Sequence, residues 1–168
     1  GCKSWQKVNH FAGAFMMGRK DYFHKRMAEL KERIGDEADF YPESYLLPAE
    51  KEECKKHYKD HRLWIIKPNS SSRGRGIYVI NSENTELPEE EAIIQYYIEH
   101  PLLITGRKFD IRVYTLITSA APIRIYFHDS GLIRFATHQY DPNADPSDVQ
   151  THLTNFALNK DDPNFIRC

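Results

Sequence analysis

The residues best suited to chemistry lie in Gly106-Arg107-Lys108-Phe109-Asp110-Ile111-Arg112-Val113-Tyr114. In a strand, successive side chains point to opposite faces, so Lys108, Asp110 and Arg112 share one face and Phe109, Ile111 and Val113 the other. A row of alternating ions backed by an apolar face is the expected result. A solvent-facing strand carries the same pattern, so the neighbourhood has to decide. Upstream, the strand-like run Leu63-Trp64-Ile65-Ile66-Lys67-Pro68 ends in a lysine, and Asn69 to Gly76 follow as a Ser/Gly/Arg loop. Downstream, Leu132-Ile133-Arg134-Phe135-Ala136 places a single arginine where it can share the face of Arg112. Converging cations and loop N–H groups are what a polyphosphate and a carboxylate require. A lysine at the end of a buried strand needs such an anion, or a carboxylate, to justify its position.

The loop is not a Walker A loop, because Gly-Lys-Ser/Thr is absent. A strand rather than a helix follows it, which argues against the dinucleotide fingerprint. Taken alone, a Ser/Gly/Arg loop is more often a mobile hairpin. His57 and His61 have metal-ligand spacing, but no HExxH glutamate lies between them and no third ligand is evident, so a solvated helix face is the reading kept. No metal ligands are assigned.

The elements that must position these groups follow in order. Tyr22, Phe23, Met27, Leu30 and Ile34 recur at helical spacing from Lys20 to about Ile34, with Gly35 as the stop. Phe40 to Pro48 reads as a short extended segment at a sheet edge, and Ala49 to about Arg62 as a charged helix with Cys54 and Tyr58 on one face. Ile77 to Ile80 and Ala92 to Ile98 are buried strands. The charged strand is expected to continue through Leu116 and Ile117, with Ile123 to Phe127 pairing back and Leu132 to Ala136 as a third antiparallel strand. Beyond Tyr140 the chain is Asp/Pro/Asn-rich until Thr151-His152-Leu153-Thr154-Asn155, and a short helix or turn carries Asn159 and Lys160.

The totals bound the possibilities. The 168 residues suffice for a domain with a sizeable core, and 40% hydrophobic with 28% charged residues is ordinary globular composition. A net charge of −1 advertises neither nucleic acid nor a membrane surface, so any anion site is local. Cys2, Cys54 and Cys168 form neither a disulfide framework nor a zinc motif. No apolar run approaches the roughly 20 residues of a membrane helix, and a soluble intracellular protein is expected.

Taken together, Trp64 to Lys67 with Arg73-Gly74-Arg75-Gly76-Ile77, Gln95-Tyr96-Tyr97-Ile98, Gly106 to Arg112, Gly131 to Ala136 and His152-Leu153-Thr154-Asn155 resemble the tubulin-tyrosine-ligase-like family of the ATP-grasp superfamily. Val8-Asn9-His10-Phe11 and Gly18-Arg19-Lys20-Asp21 resemble that family's opening segment, so the similarity covers nearly the whole chain. The resemblance implies an α+β, ATP-grasp-like fold, a mostly antiparallel sheet with flanking helices, incomplete at its C-terminal end. It implies residues 1–62 as an N-terminal and linker region and 63–168 as the ATP-grasp domain. It further implies that Lys67 and the loop Arg73, Gly74, Arg75, Gly76 and Ile77 hold ATP phosphates. Gln95 and the backbone of Tyr96, Tyr97 and Ile98 would hold the adenine, with Lys108 and Asp110 near the nucleotide. Arg112 and Arg134, with Asp110 the implied catalytic residues, would bind the transferred phosphate and the carboxylate of the incoming amino acid; Thr154 and Asn155 would complete the acceptor side.

The implied chemistry is ATP- and Mg2+-dependent: a tubulin carboxylate is phosphorylated and the acyl phosphate is attacked by a free amino acid. Glutamate is the expected amino acid, because Pro122 to Ala136 looks closest to the glutamylase branch. Tubulin or microtubules are the implied partner, with neither nucleic acid nor membrane, in the cytoplasm and cytoskeleton, cilium or basal body included. The family's late E-x-N metal motif has no counterpart, since no glutamate follows Glu99. A fragment that is inactive by itself is therefore expected. Three readings compete with the ligase: a non-catalytic microtubule- or partner-binding module that keeps the fold, an ATP-grasp ligase with a small-molecule acceptor, and an α/β domain whose charged strand is merely exposed.

Overall fold

The computed structural model describes residues 3, 5, 6, 8–71 and 74–166. The chain runs through the short helix α1 (Phe15–Gly18), α2 (Lys20–Ile34), a 3-10 turn at Gly35–Ala38, β1 (Ser44–Leu47), α3 (Lys51–His57), β2 (Leu63–Pro68), β3 (Tyr78–Asn81) and β4 (Ala92–Tyr96). It continues through β5 (Leu103–Ile104), β6 (Arg107–Arg112), β7 (Thr115–Ala120), β8 (Ile123–Phe127), β9 (Leu132–Phe135), α4 (Val149–His152) and α5 (Phe156–Asn159). This is a mixed α/β chain with antiparallel sheets and few helices. Its largest sheet has the order β1-β4-β2-β3, so β1 is an edge strand, as its flanking prolines suggest. Because β1 pairs with β4, the sheet draws strands from both sides of residue 62.

Register assigns the two faces of this sheet different work. Trp64 pairs with Tyr96 and Ile66 with Ile94, and they share a face with Leu47 and Ile80. That face is the core, closed by Cys54 of α3 and by Tyr58 just after it. Trp64 is wholly buried, its indole N–H donating to the Tyr58 carbonyl at 3.0 Å. On the opposite face Ile65 pairs with Gln95, and Gln95 pairs with Ser44. Lys67 is the diagonal neighbour of Gln95 there. Helix α2 spans the residues expected from its periodicity and ends at Gly35, whose φ of +60° favours glycine. His24 Nε2 lies 2.9 Å from Glu50 Oε2, which also accepts from the Leu46 N–H, tying α2 to β1.

A second sheet, β5-β6-β9, begins with a two-residue hairpin in which Thr105 and Gly106 have φ of +51° and +75°, the left-handed pair such a turn needs. Two expectations are corrected here. The charged strand does not run on to Ile117: it stops at Arg112, and β7 starts a separate ribbon with β8. Its apolar face is not a core either, since Ile111 is 61% and Val113 56% exposed. Alternation says that a strand is two-sided; only a neighbouring layer decides whether the apolar side is covered. The β7-β8 ribbon is similarly bare, with Leu116, Ile123, Tyr126 and Phe127 all exposed. No helix among the described residues is long and apolar enough to cross a membrane.

Candidate functional site

The site face of the first sheet places Lys67 and Gln95 in a cavity of about 270 Å³, overhung by Gly18 and Arg19 at the end of α1 and by Lys20 and Phe23 in the first turn of α2. Lys67 Nζ donates to Gln95 Oε1. The amide's other end donates to Ser44 Oγ at 2.7 Å, and Ser44 donates to the Pro42 carbonyl at 2.7 Å. Gln95 is thus held in one orientation, with its oxygen toward the lysine. Among the described residues Lys67 has no carboxylate partner, and burial pushes its ammonium down to about 8, the nearby Lys20 charge adding to the effect. Lys108 behaves alike: burial first, then the charge of Lys67, pushes it down to about 8. The two desolvated ammonium groups repel each other and have no counter-charge among the described residues, an arrangement that an anion would relieve.

Lys20 completes the set, and sequence reasoning did not single it out as a site residue. Its Nζ donates to the carbonyls of Pro68 at 3.0 Å and Ser71 at 2.6 Å, pinning the start of the glycine-rich loop. Burial lowers its pKa as well. A signal was present, because a lysine in the first turn of a helix opposes the macrodipole and needs a compensating partner elsewhere.

Arg73 lies outside the described residues. Gly74 is buried while Arg75 and Gly76 are exposed, and Ile77 is intermediate. Gly74 has φ of +81°, and a Cβ there would sit 2.9 Å from Asn155 Cγ and 2.9 Å from Leu158 Cδ1. The loop therefore seats directly on the segment carrying Thr154 and Asn155. Gly74→Ala is expected to lower stability by about 1–3 kcal/mol, read by urea denaturation; an unchanged midpoint would mean that the loop does not seat there.

The segment receiving the loop is itself clipped. Asn159, wholly buried, accepts from the Thr137 N–H at 3.0 Å and hydroxyl at 2.7 Å and donates to the Leu153 and Asn155 carbonyls at 2.8 and 3.0 Å. Thr154 is buried and Asn155 half-buried as the residue preceding α5.

Along β4, the N–H groups of Tyr96 and Tyr97 are already given to the carbonyls of Glu43 at 2.8 Å and Leu63 at 3.1 Å. The N–H of Ile98 has no protein acceptor among the described residues. The Tyr97 side chain turns away into a small cluster with Leu63 and Val79.

On the second sheet Asp110 pairs directly across from Arg134. The guanidinium grips both carboxylate oxygens, Nε to Oδ1 at 2.7 Å and NH2 to Oδ2, which raises the arginine's pKa. Arg112 lies on the same face, exposed and without an ion pair among the described residues. Asp110 is therefore already engaged, and of the two arginines Arg112 is the one left for an external anion. His57 and His61 do not form a site: His57 Nδ1 lies 3.0 Å from Asp60, and His61 stacks on Tyr96 with its Nε2 3.1 Å from Glu43.

Comparison with known proteins gives the family. A family model described as the tubulin-tyrosine ligase family matches residues 2–165. A probable beta-tubulin polyglutamylase of Tetrahymena thermophila is 40% identical over 167 residues, 96% of this chain and 14% of that protein. Human tubulin polyglutamylase TTLL5 is 43% identical over 166 residues, 97% of this chain and 13% of its own length. Mouse tubulin monoglutamylase TTLL4 is 38% identical over 164 residues, 95% and 14% respectively. The chain thus spans a small part of the length of these relatives.

Proposed function

The chain belongs to the tubulin-tyrosine ligase family, and from that membership we propose that it is the nucleotide-holding part of an ATP-dependent ligase that adds an amino acid, glutamate, to tubulin tails. The observation that carries this reading is the convergence of Lys20, Lys67 and Gln95 on one cavity, with Lys108 close enough to feel the charge of Lys67. The two antiparallel sheets would be the corresponding parts of an ATP-grasp fold.

In the proposed reaction, Lys67, Lys108 and the loop from Arg73 to Ile77 hold the phosphates, and Gln95 with the backbone at Ile98 holds the adenine, the N–H groups of Tyr96 and Tyr97 being already given to Glu43 and Leu63. A tubulin carboxylate oxygen forms a bond to the γ-phosphorus as the bridging P–O bond breaks and ADP leaves. The amine of the incoming amino acid then attacks the acyl carbon, forming the C–N bond and expelling phosphate as the amine gives up a proton. Such a loose transfer asks the protein for positioning and charge, which lysine and arginine supply. Arg112, Thr154 and Asn155 serve the acceptor side, and Arg134 holds Asp110 beside Arg112.

Among the described residues no group of three His, Cys, Asp or Glu side chains could hold a metal ion. Asp110 is engaged with Arg134. The described residues therefore offer no ligand set for magnesium, and no step is routed through it. Activity toward tubulin, and with it a cytoskeletal location extending to cilium or basal body, is proposed for the whole protein that carries this sequence.

The test pairs binding with transfer. Arg112→Ala is expected to leave the magnesium-ATP Kd of this chain within about twofold while abolishing ATP-dependent incorporation of labelled glutamate into microtubules by the whole protein. A folded chain that fails to bind magnesium-ATP would overturn the nucleotide assignment. The bare apolar β7-β8 ribbon favours one second reading, a module that docks without catalysis. A whole protein that binds microtubules but never transfers an amino acid would select it.

A further inference from the structure

Lys108 is held in an unusual way. Its ammonium makes no ion pair or hydrogen bond among the described residues and instead sits 3.9 Å from the centroid of the Tyr97 ring, with the Tyr140 ring at 5.9 Å. Both rings are fixed by their hydroxyls. Tyr140 donates to the Glu99 carbonyl at 2.7 Å, and its N–H donates to the Gly106 carbonyl at 2.8 Å. The Tyr97 hydroxyl meets His152 Nδ1 at 2.9 Å, both residues being 2% exposed or less.

The protonation pattern of this pair follows from its partners. His152 Nε2 lies 3.1 Å from the Asp145 carbonyl, which can only accept, so Nε2 carries the proton. Burial lowers the pKa of His152, keeping the ring neutral and Nδ1 bare. Tyr97 must then donate to Nδ1. Donation leaves more electron density on the phenol, which strengthens the face that meets the ammonium. A tyrosine ring can bind the cation without neutralising it, so Lys108 keeps its charge for an external anion. A carboxylate in the same place would quench it.

We propose that Tyr97 and His152 act as a positioning pair for Lys108, Tyr97 offering its ring as the seat of the ammonium and His152 fixing that ring through the Tyr97 hydroxyl. Neither side chain touches the phosphates. The importance of the pair for ligation rests on the function proposed above, whereas the seat itself is a property of the ligand-free chain.

The test uses lysine Nζ groups dimethylated with 13C, which keep their charge, with the Lys108 resonance assigned through Lys108→Arg. In the wild-type chain that resonance is expected to be shifted upfield by the ring beneath it. Tyr97→Leu should abolish the shift and lower the proton affinity of Lys108 about tenfold. Tyr97→Phe should keep the ring-current shift. His152→Leu should diminish it, and Tyr97→Phe should have no added effect in that background.

Magnesium-ATP affinity should fall about tenfold in Tyr97→Leu, with no further loss in a Tyr97→Leu, Lys108→Met double variant. A Lys108 resonance without an upfield shift in the wild-type chain would overturn the proposal and needs no variant to fold. So would an unchanged resonance in a folded Tyr97→Leu chain. Absence of nucleotide binding by the wild-type chain would instead overturn the nucleotide assignment and leave the spectroscopic result standing.

Discussion

Replacing Lys67 by methionine is expected to weaken magnesium-ATP binding at least thirtyfold and, in the same molecule, to raise the thermal midpoint of the ligand-free chain. The two effects have one cause. Burial pushes the Lys67 ammonium down to about 8, so keeping it charged at neutral pH costs on the order of 3 kcal/mol. Its one hydrogen-bond partner among the described residues is the neutral amide of Gln95. Methionine fills a similar volume without a charge; it leaves Gln95 Oε1 unpaired, at about 1 kcal/mol. The balance favours the variant by about 1–2 kcal/mol, or roughly 2–8 °C for a chain of this size. Binding moves the other way, because a charge-assisted contact to phosphate is worth about 2 kcal/mol or more. Calorimetry and thermal unfolding on the same samples decide the matter. A variant that loses affinity and also melts lower would make Lys67 a structural residue, and one with unchanged affinity would remove it from the site.

What could be read in advance divides along a physical line. Helix α2 runs from Lys20 to Ile34 as its period demanded, because periodicity and a left-handed glycine stop are local facts. The lysine near the end of β2 stood out as a candidate anion ligand, since a cation in an apolar strand is conspicuous without knowing its neighbours. Its partner Gln95 came only by resemblance, and that its amide faces Lys67 is a consequence of antiparallel register.

Arg134 was placed on the face of Arg112, yet the register sets it opposite Asp110, which spends both charges on each other. The exposed backs of β6 and β9 could not be foreseen, because a strand carries no record of whether a second layer covers it. The Tyr97–His152 pair was out of reach for the same reason, the two residues lying 55 apart in sequence. Lys20 carried a local signal, its place in the first turn of α2, but its partner Ser71, 51 residues away, is supplied by the fold.

Nucleotide binding should also carry a proton with it. Lys67 and Lys108 are both pushed down to about 8 by burial, each further from its ordinary value because a neighbouring lysine repels it. The folded chain therefore holds fewer protons than the unfolded chain between about pH 8 and the ordinary lysine range, so ligand-free stability is lowest below pH 8 and rises as pH climbs through that window. Binding runs opposite. Phosphate favours the ammonium forms, so both groups gain protons on binding near pH 8, about one in total if each is half charged there. At pH 6.5 both are already charged and the uptake should vanish. At pH 9 each is about nine-tenths neutral, and affinity should be lower by about tenfold per lysine than at pH 7. The groups facing the two amines, Lys20, Gln95, Tyr97, Tyr140 and a neutral His152, do not titrate in the opposite sense over this range. Titrations of magnesium-ATP at pH 8 in buffers of different ionisation enthalpy measure the uptake directly. Zero uptake with a flat affinity from pH 7 to 9 would mean that neither amine meets the phosphates, whereas uptake that falls by about half in Lys108→Arg would assign the second proton to Lys108.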